Sequence, residues 1–397
     1  MSDSSAKAAT FGATPEASTA GFPSATAAKP SVAAAETIRA TTAADGAQVA
    51  EISETSAPTK VADILPASHW IQAPLQHESD DDSAYGEDIA SSTASLSSSI
   101  LQYRTLHGRT FHSELVNAQS WNPNDAQHNE SMEILHHAST LMQDDKLFLS
   151  PIGDDVQRVL DVGCGPGIWA IDFADQFPQA QVIGVDVSPT QSQWVPPNLT
   201  FEYDDVTQPW TYKPDTFDFI HMRWLVGNLQ DWYAIYRECF KALKPGGYFE
   251  NKESSAIITS DDGTVTETSA LSQWGKVFVE AGKKSGQSFT VVEDDIQRKA
   301  MEAAGFVDIQ EYTFKAPLGS WPADEKMKEL GQYLKLALYQ DIEGFIVMMW
   351  SKTMNWSIDE IHVYAAHLRH ELNSKKIHPY YIQKVVLGRK PYPGEVL

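Results

Sequence analysis

The sequence predicts an α/β fold, a doubly wound and mostly parallel sheet of seven strands. Three observations carry this. From Val156 to Glu250 short apolar runs alternate with helical stretches. The runs are continuous rather than polar at every second residue, so both faces of each strand are covered, as in parallel sheets sandwiched by helices. The first run also ends in a glycine-rich turn that leads directly into a helix, and ligands of such sheets bind at the carboxyl ends of the strands.

The predicted strands are Arg158–Val162, Gln181–Val185, Leu199–Tyr203, Phe217–Met222 and Tyr248–Glu250. Between them lie helical stretches at Ile168–Gln176 and Trp232–Leu243, the second with Ile235, Tyr236, Phe240 and Leu243 on one face. Beyond the fifth strand Leu271, Trp274 and Phe278 align on a helix, and Ile296 and Met301 mark another. A strand at Val307–Phe314 follows. Met327, Leu330, Leu334 and Leu338 keep helical register, and Ser357-Ile358-Asp359-Glu360 is a capping-box sequence opening a helix with Ile361, Leu368 and Leu372. The last strand, Tyr380–Leu387, returns to the same sheet. Ahead of the sheet, Ile100 to Leu149 shows partial helical spacing and is expected to be a helical lead-in.

The turn after the first strand reads Asp161-Val162-Gly163-Cys164-Gly165-Pro166-Gly167. Glycines at 163, 165 and 167 permit a tight turn and close approach of backbone to a ligand, with the N-terminus of the next helix aimed at it. A dinucleotide fingerprint needs its third glycine where Ile168 stands, so the pyrophosphate reading loses its close helix contact. A phosphate loop needs Gly-Lys and a hydroxyl residue, and none follows Gly167. What remains is an acidic residue in the strand followed by three alternating glycines.

That pattern resembles the first motif of class I S-adenosylmethionine-dependent methyltransferases, which have a Rossmann-like fold. Four further stretches resemble the same family in the same order: Gly184-Val185-Asp186, Phe201 to Val206, Phe217 to Arg223, and Leu243-Lys244-Pro245-Gly246-Gly247-Tyr248. A narrower resemblance, to the fungal LaeA-like or TAM-domain methyltransferases, runs from about Ala84 to Pro391. It rests on Tyr103, His107 to His112, Pro123-Asn124-Asp125 and His136-His137. Gly167 to Asp172, Asp186-Val187-Ser188-Pro189, Trp194 to Asn198, Pro209-Trp210, Lys376 to Tyr380 and Gly388 to Pro391 continue it. The chain departs from that pattern at His107, Phe111 and Pro166, where the family reads Asn, Tyr and Thr.

The resemblance implies S-adenosylmethionine as cofactor, held by Asp161, Gly163, Gly165 and Gly167, by Asp186 at the ribose, and by Asp205 and the Val206 backbone at the adenine, with Asp204 as the substitute for Asp205. Tyr103 either closes over the cofactor or packs the lead-in. Arg109 either pairs with an acid of the chain or clamps the cofactor's carboxylate, which its planar fork suits. Methyl transfer is an in-line displacement that needs alignment and no metal. An oxygen or nitrogen acceptor has a proton to lose, and His221 and Glu250, at strand ends, are the candidate catalytic bases, with Arg223 and Trp224 lining the substrate pocket. Adjacent His136 and His137 point about 100° apart on a helix and are expected to be packing residues rather than metal ligands. Cys164 has no basic neighbour in sequence to activate it.

Composition limits partners and place. Of the first 60 residues 35 are Ala, Ser or Thr, and the first hundred hold four aromatics. Such a stretch buries too little apolar surface to offset the entropy of ordering it, so residues 1–95 are expected to be a disordered acidic tail, 96–150 a helical lead-in and lid, and 151–391 the methyltransferase domain with cap helices at 321–374. The net charge is −23, of which 4 basic and 13 acidic residues give −9 over the first hundred. An acidic surface has the wrong field for unaided nucleic-acid binding. The two cysteines form no disulfide framework, no run of about 18 apolar residues spans a bilayer, and no signal-peptide pattern opens the chain. A cytosolic or nuclear protein is expected. Two functions fit: methylation of O or N on a small secondary-metabolite acceptor, or a LaeA-like nuclear regulator acting with velvet-type protein partners.

Overall fold

The computed structural model describes residues 64–75, 103–113 and 120–395. In chain order these form helix α1 (Ala67–Gln72), strands β1 (Arg104–Leu106) and β2 (Arg109–Phe111), α2 (Ala126–Met142), β3 (Arg158–Val162), α3 (Ile168–Gln176), β4 (Gln181–Asp186), β5 (Leu199–Tyr203) and β6 (Phe217–Arg223). They continue with α4 (Trp232–Ala242), β7 (Leu243–Ser254), α5 (Ala270–Ser285), α6 (Ile296–Ala304), β8 (Val307–Pro317), α7 (Glu325–Gln340), α8 (Ile342–Met348), a π-helical turn (Met349–Thr353), α9 (Ile358–Asn373) and β9 (Tyr380–Arg389).

Seven strands make one sheet in the order β5-β4-β3-β6-β7-β9-β8. Its first five members are mutually parallel, and β9 runs antiparallel to both of its neighbours. The continuous apolar runs explain the centre: Val159 to Val162 of β3 are all buried, as is every residue of β6 except Asp218. Two apolar layers cover the sheet. Trp169 and Phe173 of α3 pack on Val159, Val182 and Phe219, while Ile235, Tyr236 and Cys239 of α4 and Met301 of α6 cover Leu160, Ile220, Met222 and Phe249 on the other face. This is the class I methyltransferase architecture, α/β and doubly wound.

A third apolar cluster forms the cap above the carboxyl ends of the strands. It joins Leu271, Trp274 and Phe278 of α5, Leu330 and Leu334 of α7, Ile346 of α8, Trp350, and Tyr364 and Leu368 of α9. The capping box at Ser357 and Glu360 is formed and fixes the start of α9. Helix α2 lies against α7, with Ser131 Oγ donating to Ala337 O (2.8 Å). No helix among the described residues is long and apolar enough to cross a membrane.

Two expectations need correction. Residues 96–150 are not uniformly helical, because a β-hairpin, β1–β2, precedes α2. Its two-residue turn places His107 and Gly108 at φ +50° and +82°, the positive pair of a type I′ turn whose twist matches the strands. Residues 64–75 also do not belong to a disordered tail. Trp70 is 3% exposed within the cap cluster, edge-on to Tyr364 at 5.1 Å, and its carbonyl pairs with His367 Nε2 at 3.0 Å. One indole buries enough apolar surface to anchor a segment that composition alone reads as unstructured. The rest of the Ala/Ser/Thr-rich stretch lies outside the described residues.

Candidate functional site

The order of strands reverses at β3 and β6, and the crevice beyond their carboxyl ends is where ligands of such sheets sit. Here the glycine loop, the β4 end and the start of α2 enclose a cleft of about 1030 Å³ open to solvent. Gly163, Gly165 and Gly167 all have positive φ, yet they do different things. A Cβ on Gly167 would stand 2.3 Å from the Phe201 ring, and one on Gly163 2.7 Å from Leu225, so both glycines allow close packing. A Cβ on Gly165 meets nothing within 4 Å, and Gly165 lines the cleft.

Asp186 holds this loop. Its carboxylate accepts from Gly165 N (2.8 Å) and Ser188 N (2.9 Å) and lines the cleft with Val187 and Ser188. Asp205 and Val206 line the cleft beyond β5, with Asp205 Oδ1 accepting from the backbone and hydroxyl of Thr207. Asp161 is 1% exposed. One oxygen pairs with His221 Nδ1 at 2.8 Å, and the other is buried with no partner. Burial pushes its pKa up to about 7 against the pull of Arg223, and Asp186 adds to the rise. Asp161 does not itself line the cleft, but its unpartnered buried oxygen belongs to a residue two positions before the lining Gly163, with its hydrogen-bonding capacity unused.

The two expected bases do not line the cleft or the cavity beside it. His221 is fully buried, stacks on Trp169 with ring centroids 3.8 Å apart, and burial with Arg223 nearby holds its pKa well below the usual range. Glu250 is fully buried too, accepting from Leu149 N, Ser150 N and Ser150 Oγ, which ties that loop to the sheet. His221 points under α3 and Glu250 toward the loop before β3, away from the cleft. Arg109 is also placed differently from the cofactor clamp. Its guanidinium is taken by Asp125 (2.6 Å) and Asp341 (2.6 Å), and it does not line the cleft. Tyr103 does not line it either; burial and Tyr203 raise its phenol pKa.

Arg223 and Trp224 line the cleft. Arg223 donates to His136 Nδ1 at 2.9 Å, so the His136 proton sits on Nε2, which donates to Asp172 at 2.9 Å. Its guanidinium stands 4.3 Å over the Trp224 ring. His137 instead packs edge-on to Tyr333, and among the described residues no cluster of three His, Cys, Asp or Glu could hold a metal. Cys164 is buried, and its thiol is pushed well up by burial, with Asp186 and Asp161 adding to it.

A second cavity, of about 900 Å³, adjoins the cleft under the cap. Trp121, Trp274, Phe278, Phe289 and Phe345 dominate its wall, and Asn122, Met132 and Trp224 line both spaces. Trp224 has φ +56°, uncommon for a bulky residue, and its N–H donates to Lys252 O at 3.0 Å. Trp121 and Phe289 carry no signal in the sequence, because they stand in separate loops and meet only in the fold. His128 was likewise missed; it lies in the first turn of α2, where Asp125 caps the helix by accepting from His128 N.

Comparison with known proteins agrees with this architecture. A family model for methyltransferase domains matches residues 134–311. The chain is 34% identical to the methyltransferase pytC of Aspergillus terreus, over 77% of this chain and 93% of that protein. It is 33% identical to the secondary metabolism regulator laeA of Aspergillus flavus, over 68% and 73% of the two chains. It is 30% identical to the protein-methionine methyltransferase laeA of Emericella nidulans, over 73% and 77%. The chain belongs to the LaeA-like family of S-adenosylmethionine-dependent methyltransferases.

Proposed function

We propose that the cleft holds S-adenosylmethionine and that the adjoining cavity holds a flat, largely apolar organic acceptor methylated on oxygen or nitrogen. When bound, the cofactor supplies an electrophilic methyl on a sulfonium that departs as a neutral thioether. In this reading Gly165 lets the loop backbone approach it, Asp186 takes the ribose hydroxyls, and Asp205 with the Val206 N–H meets the adenine. The free oxygen of Asp161 takes the amino group, directly or through water. Arg223 keeps positive charge next to Asp161 and fixes Trp224 by stacking. The cap residues Trp274, Phe278, Leu334 and Phe345 wall the acceptor's cavity and limit its exposure to water.

The observation that carries the reading is the shared wall of Asn122, Met132 and Trp224. It joins a polar cleft bearing the donor motif to an aromatic cavity of the kind that binds small organic molecules. A second reading is a regulator of the LaeA kind, acting on or with protein partners, velvet-type factors among them. It is favoured by the absence of a base in the apolar cavity, since a thioether acceptor such as methionine has no proton to lose. Incubation with methyl-labelled S-adenosylmethionine and a fungal small-molecule extract separates the two. Label in extractable small molecules is expected, and label confined to protein would move the function to the second reading.

A further inference from the structure

The residues lining the apolar cavity include no Asp, Glu, His, Lys, Arg or Cys. Its one phenol, Tyr381, is shifted upward by burial and so stays protonated. An acceptor O–H or N–H in that cavity must lose its proton toward the cleft side. There the ionisable groups are His128, Cys164, Asp186, Asp204, Asp205 and Arg223. Asp186 and Asp205 are fastened to their own loops, Cys164 is held as a thiol, Arg223 has no lone pair to offer, and Asp204 follows β5 at the sheet's edge.

His128 is built differently. Its Nδ1 lies 2.8 Å from Asp341 Oδ2, and Asp341, fully buried, is held in turn by Arg109 Nη1 at 2.6 Å and by Gly344 N at 3.2 Å. A carboxylate only accepts, so the Nδ1 of a neutral His128 carries the proton and its Nε2 keeps a lone pair. Nε2 has no hydrogen-bond partner among the described residues, and His128 lines the cleft. The same ring sits edge-on to Phe345 of the apolar cavity at 5.0 Å, one helical turn from Met132 in the shared wall. The imidazole therefore stands where cleft and cavity meet.

We propose that His128 is the catalytic base and that Asp341, braced by Arg109, is its positioning residue, an inference that rests on the cofactor and acceptor assignment above. The acceptor's O–H or N–H proton passes to Nε2. The freed electron pair forms the new bond to the methyl, the carbon–sulfur pair returns to sulfur, and the imidazolium faces Asp341 until its proton leaves through the open cleft. A carboxylate that holds an imidazole in one tautomer and steadies its cation is a recurring way to build such a base.

Two ligands test this without a known acceptor. S-adenosylhomocysteine lacks the transferable methyl, and sinefungin carries an amine in its place. A lone pair facing the transfer position should bind that amine. Calorimetry on the full chain should show His128→Phe weakening sinefungin about tenfold or more, the scale of a charge-assisted hydrogen bond, and S-adenosylhomocysteine less than about threefold. Should that variant not fold, His128→Ala reads the same ratio. Unchanged affinity for both ligands, or an equal loss of both, would overturn the base assignment. If the wild-type protein binds neither ligand, the cofactor reading itself fails and the inference with it.

Discussion

In the proposed reading Asp161 serves the cofactor at the expense of the free fold. Its unpartnered oxygen is costly to bury, and its pKa rises from the ordinary 3.8 to about 7. In unfolded chains the group ionises from about pH 4, whereas the folded protein keeps the proton to about 7. The penalty therefore grows across that window as pH rises, stays constant above it, and is absent below it. Asp161→Asn removes the penalty. It should raise the melting temperature of the cofactor-free protein at pH 8 by about 2–6 °C, with a smaller gain at pH 5, and weaken cofactor affinity about tenfold. A melting temperature that does not respond to the substitution at pH 8 would mean the carboxylate is already satisfied in the free protein. The glycine loop and Asp186 were legible because their chemistry is contiguous in sequence. The pairing of His128 with Asp341 spans 213 positions, and only the docking of α2 against α7 and α8 brings the two together. His221 and Glu250 were misread because a strand-end position does not say which face of the sheet a side chain takes.

At the level of elements, the first four strands of the sheet were legible to within a residue, since continuous apolar runs leave little choice of period, whereas β7 extends over Leu243–Ser254, well beyond the apolar run at Tyr248–Glu250. The hairpin was not legible. Its strands are three residues each, too short for a periodic signal, and only the backbone of His107-Gly108 marks the turn. The docking of α1 was also invisible, because it depends on one tryptophan in a polar neighbourhood. Trp70 nevertheless makes the contacts that hold this helix to α9. Trp70→Ala should detach residues 64–75, read as loss of amide protection there by hydrogen exchange, while protection of β3 and β6 is kept. Equal loss in the central strands would instead make the helix part of the global folding unit.

Across the molecule, the sheet supplies a polar donor cleft and the cap supplies an aromatic chamber, and the two meet at Asn122, Met132 and Trp224. Sequence reasoning placed the cap helices but not the chamber, since its walls come from α2, α5, α7, α8, strands β7 and β9, and the loops that carry Trp121, Trp224, Ala256, Phe289 and Leu318. The acidic balance of the chain fits small neutral or cationic ligands better than polyanions. The most direct test of the whole arrangement is a crystal structure of the S-adenosylhomocysteine complex. Adenine is expected beside Asp205, ribose on Asp186 and the sulfur turned toward the shared wall at Met132 and Trp224. A sulfur facing away from the apolar chamber, or a ligand seated elsewhere, would contradict this arrangement.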